Sequence, residues 1–323
     1  MAANKMGIVK NFLNAVSFLT IFNFNSINSN DKNKTFKSRA DLSGGINTCP
    51  NAEIGEGIGA KNFFKVKSSS LDEEINKVDN ISSSLGNINN SLVKSIRFFP
   101  LAGLFIGLII AFLYVIFNKI TSPNIASIIS IIGLFVITGG LHFDGLSDTS
   151  DGLMAFLKTG DKNIFYKAMK DINTGLAGTI SVIFYIIILY KIILDFNSFQ
   201  AYHKIYGIYA LVTFPVIGRY VIVLMSYFTA TPENFKGIGS IFTEGTDMLT
   251  FIAASLITVI IVFLFFGFNG FFALLVSSFM ILIICYFFMK KFGGINGDML
   301  GFGAKISEIV FLISLLGFIK TGF

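Results

Sequence analysis

From Phe98 onward the chain is a succession of apolar runs: 99–117, 124–143, 175–195, 205–228, 249–267, 271–289 and 306–320. Each is long enough to be read as a crossing of a hydrocarbon core about 30 Å thick, although the last is short and Gly317 interrupts it. Lipid offers a backbone no hydrogen bonds, so such runs must be helices. Composition agrees: 53% of the 323 residues are hydrophobic and only 14% charged, with a mean hydropathy of +0.72. A soluble domain carries about 25% charged residues. The sequence therefore predicts an all-α, polytopic membrane helical bundle of about seven spans, plus an N-terminal amphipathic helix.

Three segments divide the chain: 1–25, 26–96 and 97–323. In the first, Lys10, Asn14, Ser17 and Thr20 recur at helical spacing opposite Val9, Phe12, Leu13, Val16 and Leu19. That stripe suits a helix lying on the membrane surface, or else a span whose polar side faces a bundle. The second segment is dominated by Asn, Ser, Gly and Lys and is expected to be a mostly disordered cytoplasmic insertion, with a weak helix at Leu71–Val78. Its GEGIGAK run (55–61) lacks the spacing and the preceding strand of a phosphate loop. Cys49 and Cys285 lie too far apart in sequence and setting to suggest a disulfide framework.

Seven spans put loops 25–98, 144–174, 229–248 and 290–305 on one side. The three shorter of these carry eight Lys and Arg, against Lys119, Lys191, Lys204 and Lys320 opposite. The richer side is expected to be cytoplasmic. A net charge of +6 then reads as orientation bias and attraction to anionic lipid, not as nucleic-acid binding. The same side holds every polar motif of the membrane domain.

The most informative of these is LHFDGLSDTSDGL (141–153), where Asp144, Asp148 and Asp151 stand at i, i+4 and i+7. On a helix that spacing puts three carboxylates on one face, where they repel unless a cation sits among them. Oxygen ligands without His or Cys suit a hard ion, Mg²⁺ or Mn²⁺. The plainer alternative is an acidic turn at a helix start. Lys170 and Asp171 precede Gly175 and Gly178, whose bareness allows close approach by backbone or ligand. Arg219 reads as the sole deeply placed cation of the spans, fit to hold a phosphate or to pair with a carboxylate. Asp298, in the glycine-rich KKFGGINGDMLG turn (290–301), is either a fourth ligand, a base, or an ordinary turn aspartate. His142 and His203 carry little signal.

FLNAVSFLT (12–20), RFFPLAGLFIG (97–107), GGLHFDGLSDTSDGL (139–153), MKDINTGLAG (169–178), FPVIGRY (214–220) and GGINGDMLGFGAKISE (293–308) follow one another in an order that resembles the membrane cobalamin synthases, the adenosylcobinamide-GDP ribazoletransferase family. The likeness covers most of the chain outside 26–90. It implies a Mg²⁺-dependent transferase of cobalamin biosynthesis in the cell (inner) membrane, multi-pass, with its active site toward the cytoplasm. Its substrates would be a corrinoid nucleotide, adenosylcobinamide-GDP, and α-ribazole or its 5′-phosphate, with GMP leaving. Asp144, Asp148 and Asp151 would then hold the metal, and Asp171 or Asp298 would complete the site or take the alcohol proton. Arg219, Lys167, Lys170 and Gly175 would contact phosphates.

Three departures from that pattern stand out. Asn173 occupies the place of an expected arginine, leaving Lys167 or Lys170 as point charges without a bidentate fork. Asn296 stands where the pattern has Thr, and the insertion has no counterpart. Residues 148–155 also carry the D-x-x-D-G-x-x-A opening of CDP-alcohol phosphotransferases, but Phe156 replaces that family's next arginine. Lipid-headgroup transfer by similar chemistry is thus the second reading. A transporter is the third, disfavoured because the carboxylates cluster at one face and no inverted repeat is detectable.

Overall fold

The computed structural model describes residues 2–20, 92–198, 204–232 and 237–322. These belong to one compact unit formed by segments 1–24 and 91–323. Residues 26–91 of the expected insertion, with the weak helix at Leu71–Val78, the GEGIGAK run and Cys49, lie outside the described residues, as does His203. The insertion's last residues, 92–96, are instead helical, with Ser95 and Ile96 buried, and lead into the first long apolar helix. Among the described residues all regular structure is helical: α1 (Ala2–Leu19), α2 (Phe99–Ile120), α3 (Pro123–Thr138), α4 (Leu141–Thr159), α5 (Lys162–Met169), α6 (Leu176–Ser198), α7 (Lys204–Phe228), α8 (Ile238–Gly245), α9 (Met248–Phe292) and α10 (Gly297–Thr321). The protein is an all-α, polytopic membrane bundle.

Five of these helices are long and apolar enough to cross a membrane, and the α3–α4 pair makes six if counted as one broken span. The expected seven separate runs need two corrections. First, the run 124–143 does not continue through Gly140. Helix α3 stops at Thr138, and α4 departs at 91°. Gly139 and Gly140 both hold left-handed backbone, φ +59° and +71°, which side chains bearing a Cβ rarely adopt. Ser122 caps the other end of α3 through the amide of Ile125, with Pro123 pre-set for the first turn.

Second, 249–267 and 271–289 fall within one element, α9, broken where Gly267 takes φ +58° and ψ −137°. A Cβ on Gly270 would lie 2.7 Å from the side chain of Val262. Eight residues along a straight helix separate atoms by about 12 Å, so α9 folds back on itself at Gly267. The two expected runs are its two arms.

Helix α7 is the centre of the bundle, with Ile217, Val221, Val223 and Met225 at 0% exposure. Gly103 and Gly107 let α2 rest on it, since a Cβ on either would meet the α7 backbone at Pro215, Val216 or Val212. This is the small-residue spacing by which membrane helices approach closely when no hydrophobic force draws them together. On α1, Ala15, Val16 and Leu19 are buried while Ile8 and Val9 are exposed. Its apolar stretch, Gly7–Leu19, is too short to cross. The buried side also takes in Asn14 and Thr20 of the expected polar stripe, while Val9 of the apolar stripe is exposed, so the burial does not follow the stripe read from the sequence.

Candidate active site

Helix α4, which leaves the crossing direction at the double glycine, carries the aspartate run. Gly145 on α4 lies against α10: a Cβ there would come within 2.6 Å of the Asp298 carbonyl and 3.1 Å of Gly301 Cα. That contact brings the first turn of α10, and Asp298 with it, beside the aspartates. Asp148 is half-buried and feels the charges of Asp144, Asp298 and Asp151, in that order. Among the described residues, no ion pair engages Asp144, Asp148 or Asp298.

Asp151 has a different setting. Its Oδ2 accepts the backbone N–H of Gly175 at 2.7 Å, and its Oδ1 that of Gly178 at 2.8 Å. It thereby satisfies two of the orphan donors at the start of α6, where a negative charge also meets the helix dipole. A Cβ on Gly178 would strike the Asp151 carboxylate and Ser147. The bareness of Gly178 is used for this packing.

Behind α4 lies a wholly buried ionic cluster. Arg219 Nη1 on α7 donates to Glu308 Oε1 at 2.9 Å, and Lys305 Nζ to Glu308 Oε2 at 2.9 Å. The Tyr185 hydroxyl on α6 donates to the same Oε2 at 2.5 Å. All four side chains are nearly or fully out of solvent. Lys305 also lies 4.3 Å from the ring centre of Phe143 and 4.7 Å from that of Tyr185, the geometry of cation–π contact. Gly218 makes room for the Glu308 carboxylate. Arg219 Nε and Nη2 and His142 Nδ1 make no hydrogen bond. Three helices, α6, α7 and α10, are thus fastened through one carboxylate, and Phe143 brings in α4.

The structure does not unite all the residues expected at the site. Asp144, Asp148 and Asp298 share one region, with Asp151 holding α6 next to it. Arg219 is fully buried and paired with Glu308, the carboxylate-pair alternative of the sequence reading, and so is not on an open face. Nor is it the sole deep cation: Lys305, in the run read as a loop, is equally buried. Asp171 is exposed and accepts from the amide and side chain of Asn173, its carboxylate thus used in a local turn. Lys167 and Lys170 are exposed at the end of α5, and Gly175 is drawn to Asp151. His142 is buried. Sequence reasoning missed Lys305 and Tyr185; the available signal was Lys305 and Glu308 at i, i+3 in an otherwise apolar helix.

Two departures now have a structural setting. Asn296 caps α10 through the amide of Met299 at 3.0 Å, a task Thr also performs. Phe156, where the CDP-alcohol phosphotransferase pattern has arginine, packs edge-on against Phe292 with ring centres 4.9 Å apart.

As metal ligands, Asp144, Asp148 and Asp298 fit a hard divalent ion in kind: oxygen donors only, of one charge sign. Among the described residues, no three His, Cys, Asp or Glu side chains are grouped closely enough to hold one as they stand.

Residues 81–316 match the model of the cobalamin-5-phosphate synthase family. Among curated proteins, the chain is 30% identical over 233 residues to the adenosylcobinamide-GDP ribazoletransferase of Clostridium novyi, covering 72% of this chain and 90% of that protein. It is 31% identical over 238 residues to the enzyme of that name from Clostridioides difficile, covering 70% and 88%. To the one from Acinetobacter baumannii it is 32% identical over 225 residues, covering 69% and 86%. No solved structure matches. A family match over most of the bundle, with these relatives nearly spanned, leaves one assignment: the chain belongs to the cobalamin-5-phosphate synthase family.

Proposed function

We propose that this chain joins adenosylcobinamide-GDP to α-ribazole, or to its 5′-phosphate, and releases GMP. The product is adenosylcobalamin or its 5′-phosphate. The observation that carries this reading is family membership over most of the membrane domain, with the aspartate run of α4 inside the matched region. In the reaction a ribazole hydroxyl oxygen attacks the phosphorus that bears the cobinamide. The P–O bond to GMP breaks, and GMP leaves with the bonding pair. The alcohol proton passes to a carboxylate outside the metal set, for which Asp171 is our candidate.

Mg²⁺ would be held by Asp144 and Asp148 of α4 with Asp298 of α10. When bound, it would neutralise charge on the phosphoryl oxygens. Asp151 orients the start of α6, and exposed Lys167 and Lys170 supply positive charge for the nucleotide phosphates. Arg219 acts through Glu308, as a positioning residue. We place this face toward the cytoplasm of a cell (inner) membrane, from the lysine bias of its loops.

The test is to incubate the purified chain, reconstituted in vesicles, with adenosylcobinamide-GDP, α-ribazole and Mg²⁺. GMP and a cobalamin product should appear one for one. GMP without the corrinoid product, or neither, defeats the assignment. Asp148→Asn tests the metal separately: turnover should fall by orders of magnitude, and Mn²⁺ binding followed by electron paramagnetic resonance should weaken. Normal turnover at limiting Mg²⁺ would move the metal away from α4.

A further inference from the structure

The turn between α4 and α5 and the end of α9 enclose a second concave surface of about 480 Å³. Lys162, Lys290, Lys291, Asp161 and Asn163 line it, with Phe156 among them. Three ammonium groups face one carboxylate, and that carboxylate is already used: Asp161 Oδ1 accepts the amide of Asn163 at 2.7 Å and caps α5. The walls are tied together. The Tyr166 hydroxyl donates to the Phe292 carbonyl at 3.2 Å, and Phe165 stacks on Phe292 with ring centres 4.0 Å apart. Two of the lysines form the last turn of α9, so they stand at the end of a membrane-crossing arm. The Lys290 ammonium lies 5.7 Å from the ring centre of Tyr286, and Tyr286 and Ile283, on successive turns of the same arm, are both exposed.

We propose that this pocket binds the headgroup phosphate of an anionic membrane phospholipid, held by Lys162, Lys290 and Lys291. Ammonium groups at the end of a crossing helix attract anionic headgroups, and each donates charge-assisted hydrogen bonds to phosphate oxygens. A soluble phosphate would make no use of the exposed Tyr286 and Ile283 that lead along α9 to the lysines. A lipid uses both features, because its acyl chains lie along that apolar side while its phosphate meets the lysines. The pocket is separate from Asp144, Asp148 and Asp298, and the inference does not rest on the reaction assigned above.

The test uses the full chain purified in an uncharged detergent, with the thermal unfolding midpoint as the readout. Short-chain phosphatidylglycerol, phosphatidylcholine of equal chain length and inorganic phosphate are titrated in turn. Phosphatidylglycerol should raise the midpoint at concentrations where the other two do not. At about fivefold per lysine, K162Q/K290Q/K291Q should need about a hundredfold more of it. Lys119→Gln, in a helix end outside the pocket, should respond as the parent does. If the triple variant does not fold, Lys162→Gln alone should need about fivefold more. An equal response to phosphatidylcholine, or to inorganic phosphate, overturns the proposal. So does an unchanged response in the lysine variants, or an equal loss in Lys119→Gln.

Discussion

Arg219 and Glu308 meet at 2.9 Å with neither side chain exposed, and Glu308 gives its other oxygen to Lys305. One carboxylate therefore holds two cations out of contact with bulk solvent. Removing the carboxylate and removing the arginine are consequently unequal changes, since only the first leaves both cations unpaired.

Glu308→Gln should cost about 3–5 kcal/mol of stability, the range for leaving buried charge uncompensated. Arg219→Gln should cost less, because Lys305 and Glu308 remain a balanced pair. Unfolding midpoints in detergent measure the order. Equal losses, or a greater loss in Arg219→Gln, would show that Lys305 contributes no charge to the cluster.

Gly145→Ala places a methyl group against the Asp298 carbonyl and Gly301, so α4 and α10 must separate by a few tenths of an ångström or more. Overpacking of this kind costs about 1–3 kcal/mol. We expect the Mg²⁺ needed for half-maximal turnover to rise, because Asp298 moves relative to Asp148. An unchanged Mg²⁺ requirement in a folded variant would exclude Asp298 from the metal set.

Asp151→Asn should behave differently from Asp148→Asn. The amide keeps one acceptor oxygen for α6 and sets an N–H group against the other amide, a loss on the scale of a helix cap, about 1 kcal/mol. Turnover should fall without a rise in the Mg²⁺ requirement, whereas Asp148→Asn should raise that requirement. A raised requirement in Asp151→Asn would restore it as a ligand.

Reporters fused at positions 160 and 297 should lie on one side of the membrane, and those at 121 and 267 on the other. The last follows from the reversal at Gly267. A reporter at 267 on the same side as 297 would contradict a folded-back α9.

The apolar runs were legible because the bilayer demands length and hydropathy, which one chain displays without reference to its neighbours. Carboxylate spacing was equally local, so the shared face of Asp144 and Asp148 could be read directly. Asp151 could not be separated from them, because the amides it accepts belong to Gly175 and Gly178, far along the sequence. Lys305 looked like a loop residue, since glycines and Asp298 precede it; only Tyr185 and Phe143, from other helices, make its burial possible. The Gly139-Gly140 pair was visible, but its 91° outcome depends on α10 receiving α4 at Gly145.

That corner sets a depth. Helix α3 has sixteen residues, a rise of about 24 Å, against a hydrocarbon core of about 30 Å. If α3 starts at the far headgroup plane, α4 and its aspartates lie several ångströms below the near one, and the surrounding bilayer must thin there. Turnover should then depend on acyl-chain length, falling in thicker bilayers as water-borne reactants have farther to descend.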